Sequence, residues 1–313
     1  MTFENYYYSG QGSLYVASRD AGKPAGLVRI GNVPELTIDI ATTVFEHTES
    51  ESGSRLLDLT INKENKSTFS FKLENLSLDN LALGLYGTKA SITGTTVVDE
   101  EFTMYSGLSA TTAFPDISAV TFAAKDGVTA PAFIVSNLYA LGAYLRPITP
   151  NSHYYKITTA GTTAGTEPTY PTNGGTVTSG GAVLQDMGLI NRVVDVDYTL
   201  SAKFGMITPV QDLTAGIGID PGRTYQIDYT YANSNKLDVF TQTAPERWLR
   251  FEGLNTVDGS HVLVDIFKAK FDPLTGYGIL NEDLGSASMK GTILYDALQL
   301  TGSQYFRQVN VAA

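Results

Sequence analysis

The chain has 313 residues, a net charge of −11 and no cysteine, a length that suits one large or two ordinary domains. With 42% hydrophobic and 17% charged residues it reads as globular, and the missing cysteines exclude disulfides, thiolate catalysis and Cys-ligated metal centres. Its three histidines argue against a His-rich metal site, and the acidic balance argues against a nucleic-acid binder drawing its affinity from Lys and Arg.

The N-terminal run MTFENYYYSGQG carries Glu4 where a signal peptide needs positive charge, and no apolar stretch follows. No segment approaches the roughly 18 apolar residues of a membrane span. The expectation is synthesis in the cytosol as a soluble protein.

In chain order, Gly10-Gln11-Gly12 begins like a dinucleotide fingerprint but lacks the third glycine, so it reads as a turn before a strand. Leu36, Ile38 and Ile40 alternate with polar or small residues, as do Leu57, Leu59, Ile61 and Phe69, Phe71, Leu73. Period two predicts half-buried antiparallel strands. Between the first two lies Glu46–Arg55 (EHTESESGSR), polar and charged, expected as a long mobile hairpin loop. Leu78, Leu81, Ala82 and Leu85 fall on one helical face, with Ser77 as N-cap, Asp79 in the first turn and Gly87 as the left-handed terminator. The segment Pro147–Gly188 is rich in Thr, Gly and Pro and reads as a turn-rich β module or a linker. The module reading leads, since Tyr154, Tyr155, Tyr170 and Val183 can form a small apolar cluster. Alternation returns in Val194–Leu200, Tyr225–Tyr231 and Val262–Phe271.

Motifs for chemistry are sparse. No phosphate loop, nucleophile elbow, HExxH or EF-hand pattern occurs. Asp195 and Asp197, two apart on an expected strand, read as solvated charge on its polar face. His47, His153 and His261 read as exposed polar residues near loops. The single tryptophan, Trp248, reads as a core aromatic or a subunit-interface anchor.

The order of elements resembles the tail tube (major tail) proteins of long-tailed, non-contractile bacteriophages, the siphophages. The resemblance is carried by Gly12–Ala17 (GSLYVA), then Gly31–Ile38 (GNVPELTI), the polar loop, two strands and the helix segment Ser77–Gly87 (SLDNLALGLYG), and near the C-terminus by Phe251–Asn255 through Asp296. It covers residues 1–95 and 236–313; residues 96–235 read as an insertion, with the small β module at about 149–188. The resemblance implies a mainly β chain: a β-sandwich or barrel protomer with one flanking α-helix, plus the inserted module. It implies protomers joined into rings, usually hexameric in that family, stacked into a tube that conducts DNA during ejection. Partners would be other copies of the chain, a tape-measure protein, and distal tail and tail terminator proteins. DNA would transit without specific binding, the location would be the virion tail after assembly in the host cytoplasm, and no membrane, cofactor, metal or catalytic residue is expected.

On that reading Leu36–Val44, Leu57–Ile61, Val262–Phe271 and Ser288–Tyr295 are candidates for the inner sheet, with Asp39, Asp58 and Asp265 facing the lumen from their polar phases. The inter-ring stacking loop comprises Glu46, His47, Thr48, Glu49, Ser50, Glu51, Ser52, Gly53, Ser54 and Arg55. Tyr6, Tyr7 and Tyr8 form an N-terminal interface arm, and Tyr305–Ala313 a C-terminal one. Three other readings stay open: a glycan-binding adhesin using the Tyr225–Tyr231 strand, a hydrolase using a pair such as Asp195 and Asp228, and the tube protein of a contractile tail or secretion system.

Overall fold

The computed structural model describes residues 7–311. It is mainly β, with 54% of residues in strands and 5% in helices, arranged as several antiparallel sheets. The chain divides into two units, Met1–Ser91 with Asn235–Ala313, and Ile92–Ser234.

The main sheet of the first unit and its helix comprise β1 (Gly10–Asp20), β2 (Lys23–Arg29), β3 (Glu35–Thr48), β4 (Leu57–Leu73), helix α1 (Leu78–Leu85), β5 (Glu246–Asn255), β6 (His261–Phe271), β7 (Ala287–Ile293) and β8 (Phe306–Val311). One antiparallel sheet runs β2-β1-β5-β6-β7-β4-β3, and β8 pairs with the part of β6 that β7 leaves open. The β1–β2 hairpin turns at Ala21 and Gly22, both at positive φ, the geometry that suits the twist of a tight hairpin. The core gathers the inward phases of these strands: Leu14, Phe69, Phe71, Leu249, Ile266 and Phe271. Phe69 and Phe271 meet edge to face with centroids 5.1 Å apart.

Three local expectations are corrected. Gly10-Gln11-Gly12 is not a turn; it opens β1 and pairs with Asn255, Leu254 and Gly253 of β5. A Cβ on Gly12 would strike the Glu252 carbonyl, so this glycine serves close strand approach. Leu57–Ile61 and Phe69–Leu73 are one strand of 17 residues, because the polar run between them stays paired with β3. In α1, Ser77 caps as expected, its Oγ accepting from Asn80 N at 3.3 Å, but the left-handed residue is Tyr86 (φ 49), not Gly87. The Tyr86 hydroxyl donates to Phe271 O at 2.6 Å. Gly87 instead fits a close backbone approach, since a Cβ there would lie 2.9 Å from the Asp238 carbonyl oxygen.

The second unit is built on strand Arg223–Tyr231, flanked by Thr96–Met104 and Ile117–Ala124. Tyr225, Ile227, Tyr229 and Tyr231 are buried on one face, in a core with Phe122 and Met104. A separate apolar cluster joins Phe133, Tyr139, Leu145, Tyr155, Ile157 and Leu184, with Tyr170 packed against it. Tyr154 belongs to the other core, so only Tyr155 and Tyr170 of the expected quartet meet, at 4.6 Å. The expected strand Val194–Leu200 begins only at Tyr198. Before it the chain turns, with Asp195 at φ 62.

Candidate assembly surface

β3 and β4 extend past the rest of the sheet as a two-stranded arm. Their ladder runs from Asp39 opposite Thr68 to Thr48 opposite Leu57, and all but the root of this stretch is exposed on both faces. Ten residues of strand reach about 30 Å. The exposed side chains include Ile40 (66%), Val44, Phe45, Leu57, Leu59 and Ile61. Polar contacts hold the arm in shape: Thr42 Oγ1 donates to Asn65 Oδ1 at 3.1 Å, Lys63 Nζ sits 4.9 Å over the Phe45 ring, and His47 Nδ1 lies 2.6 Å from Asp58 Oδ1. Bulges interrupt the register between Thr43 and Val44 and between His47 and Thr48.

The tip corrects the expectation of a mobile ten-residue loop. Glu46, His47 and Thr48 are ladder residues of β3. The remainder folds around Glu49, whose carboxylate accepts from the backbone N–H of Glu51 (2.7 Å), Ser52 (2.8 Å) and Leu56 (3.2 Å) and from the Ser52 hydroxyl. Hydrogen bonds from the Ser52 side chain and backbone hold the Glu49 carboxyl down to about 2. Ser50, Glu51, Ser52, Gly53, Ser54 and Arg55 remain exposed around it.

Of the three aspartates expected to face a lumen, Asp39 and Asp58 are exposed on the arm. Asp265 is not: it is fully buried. Arg307 of β8 lies opposite it in the ladder and donates from Nη2 at 3.0 Å. Trp248 Nε1 donates at 3.3 Å, and Arg250 Nη1 stands 3.6 Å away. The strand that should have exposed this carboxylate is internal, and β8 brings a guanidinium to it. Trp248 is correspondingly a buried residue, packed on Phe267 and Ala17.

The four strand segments expected to share an inner sheet are neighbours, in the order β6-β7-β4-β3. Tyr6 lies outside the described residues. Tyr7 and Tyr8 are exposed, and Asn255 Nδ2 holds the chain there by donating to Tyr7 O at 3.0 Å. The C-terminal segment is no free tail: β8 is laddered to β6 from Phe306 to Val311, while Ala312 and Ala313 lie outside the described residues.

The strands at the two ends of the main strand order, β2 and β3, carry opposite charge. β2 carries Lys23 and Arg29 and no acid; β3 carries Glu35, Asp39 and Glu46 and no Lys or Arg. β1 and β3 stand far apart in the strand order yet line one groove of about 790 Å³, with Leu14, Leu36, Ile38, Phe251 and Ile266 among its walls. The sheet therefore curls. That groove was illegible in the sequence, because strand alternation reports burial but not which strands face one another.

The residues behind the other readings fare differently. Tyr225, Tyr229 and Tyr231 are buried, which removes the aromatic platform of the adhesin reading. Asp197 is buried, not solvated, and accepts from Val193 N at 2.7 Å and Gly218 N at 2.6 Å. Asp228 accepts from Asp99 N at 2.8 Å, and no contact joins it to Asp195 among the described residues. His153, expected exposed, is largely buried with Nδ1 2.8 Å from Asp186 Oδ1. Among the described residues no group of three His, Cys, Asp or Glu is placed to hold a metal ion, and no helix is long and apolar enough to cross a membrane.

Residues 7–142 and 159–309 match the family described as "Protein of unknown function UCP028589". No curated protein matches the chain. The match spans most of the sequence, and the chain belongs to that family.

Proposed function

We propose that the chain is a self-assembling structural protein of the tail tube type. Copies join side by side into a ring through the edges of the eight-stranded sheet, and rings stack into a hollow tube. The observation that carries this reading is the β3–β4 arm. An isolated two-stranded hairpin is marginal in water, and a long unpaired edge strand is a template for another chain. Here a 14-residue edge strand is combined with apolar residues exposed on a slender arm. Such a surface is a liability on a monomer and is relieved when a neighbour covers it.

Edge pairing between copies is heterologous, and it closes into a ring when the rotation between neighbours divides a full turn. The acidic β3 edge and basic β2 edge favour head-to-tail contact over like-with-like contact. Closing the edges into a barrel removes them. On this reading Asp39 and Asp58 present negative charge to passing DNA. Repulsion acts over about 8 Å at physiological salt and keeps the wall from retaining phosphates. The remaining partners are a tape-measure protein within the tube and capping proteins at its ends. The location is the virion tail, and no catalytic role is assigned.

The direct test cuts the arm back to Thr42 and Asn65 and joins them through Asn-Gly. The expected result in sedimentation velocity is a folded monomer with an unchanged melting curve under conditions where the full chain assembles. Assembly of the shortened chain at the parental concentration would remove the arm from the interface.

A further inference from the structure

A second groove, of about 390 Å³, opens between α1 and the β1–β2 hairpin. Its floor is apolar, with Val16, Val28, Ile30 and Leu83, and Arg247 stands in its wall. Arg247 is half-buried and forms no ion pair among the described residues; its Nη1 donates only to the carbonyl of Glu246 at 3.2 Å. Burial pushes its pKa down, with no carboxylate to restore it. The acid of the same groove, Asp79, is already paired with Lys89 at 2.8 Å. The groove thus offers an apolar bed beside one uncompensated guanidinium, the complement of a carboxylate carried on an aliphatic segment.

The same chain displays such a segment. The connection from β6 to β7 contains Ile279-Leu280-Asn281-Glu282-Asp283-Leu284, with Ile279, Leu280 and Leu284 exposed by 78%, 95% and 87%. It carries acids and no Lys or Arg. Its root is fixed on α1, where Leu274 N donates to Gly84 O at 2.8 Å. Gly84 lies one turn on from Asn80, which lines the groove with Asp79 and Leu83, so the loop is rooted on the same helix beside the groove. Knob and hole thus share one helix, and the exposure of the knob shows that it does not fill the groove of its own chain.

We propose that the Ile279–Leu284 loop of one copy docks in the α1 groove of a second copy, with Glu282 or Asp283 paired to Arg247. Charge complementarity selects the occupant. The contact is heterologous, so it propagates from copy to copy as a ring or a file. It rests on the assembly reading for its purpose but engages a surface other than the β3–β4 arm.

The test uses a fluorescein-labelled peptide of residues 274–285 titrated into the full-length chain and followed by anisotropy. Saturable binding is expected, weakened at least tenfold by Arg247→Glu and recovered when that variant meets a peptide carrying Glu282→Lys and Asp283→Lys. A peptide with Leu280→Asp is expected to lose binding to the unaltered chain, a result independent of whether the Arg247 variant folds. Equal binding of the native and Leu280→Asp peptides, or none by either, overturns the proposal and leaves the groove to another partner. The readout needs no assembly, so rings without peptide binding would overturn this contact alone, and peptide binding without rings would overturn the tube reading alone.

Discussion

Asp265 has the pattern of a surface carboxylate and the environment of a core one. It alternates with Val264 and Ile266 along β6, yet it is fully buried between Arg307, Arg250 and Trp248. Replacing it with Asn keeps the shape and removes the charge that two guanidinium groups face. Hydrogen bonds to a charged acceptor are worth about 1.5–3 kcal/mol, and Arg250 and Arg307 can recover part of the loss from water. Asp265→Asn is expected to lower unfolding stability by about 2 kcal/mol in a urea titration with an unchanged slope. Glu49 makes the opposite point, since a carboxylate in a polar run organises the whole arm tip. Its folded pKa of about 2 lies below the ordinary value of 4.5. The stabilisation it gives the tip is thus fully present above about 4.5 and is lost as pH falls through 2. Carboxyl-detected NMR should find the Glu49 midpoint near 2 while the tip amides keep their shifts at pH 4; a midpoint near 4.5 would contradict the hydrogen-bonded tip. Neither residue's role was legible in the sequence. Alternation tells whether a side chain leaves the mean plane of a strand, and says nothing of what another strand places against it.

Along β4 one strand changes its environment from end to end. Phe69, Phe71 and Leu73 are buried, while Leu57, Leu59 and Ile61 are about half exposed. Period-two patterning reads the two ends alike, and it was right about strand type at both. It could not distinguish a core face from an arm, nor see that the intervening NKENKST run is held in strand by β3. The distinction is measurable. Phe69→Ala should cost about 3–5 kcal/mol, because it opens a cavity among packed aromatics. Leu59→Ala should change stability by no more than about 0.5 kcal/mol and act instead on self-association. Equal costs at the two positions, by chemical unfolding, would mean that the arm is part of the core. Helix α1 was legible in its cap, but of the face Leu78, Leu81, Ala82 and Leu85 only Leu81 is buried, beside Gly84, and Leu83 packs on the core; the left-handed terminator is Tyr86, one residue before Gly87.

At the scale of the molecule, the mainly β class followed from alternation, and the strands nominated as one sheet are adjacent in it. The curl that brings β1 and β3 to one groove, the pairing of β8 with β6, and the opposite charge of the terminal strands β2 and β3 depend on long-range register that one sequence does not display. Those features give the assembly reading its physical content. The strand order ends in β2 and β3, which differ in charge, an arm has little to pack against in its own chain, and a net charge of −11 keeps isolated copies apart until specific contacts outweigh repulsion. The most direct measurement is negative-stain electron microscopy of the purified chain, concentrated and aged. Rings or hollow tubes of uniform width are the predicted result, and dispersed monomers at every concentration and age would contradict it.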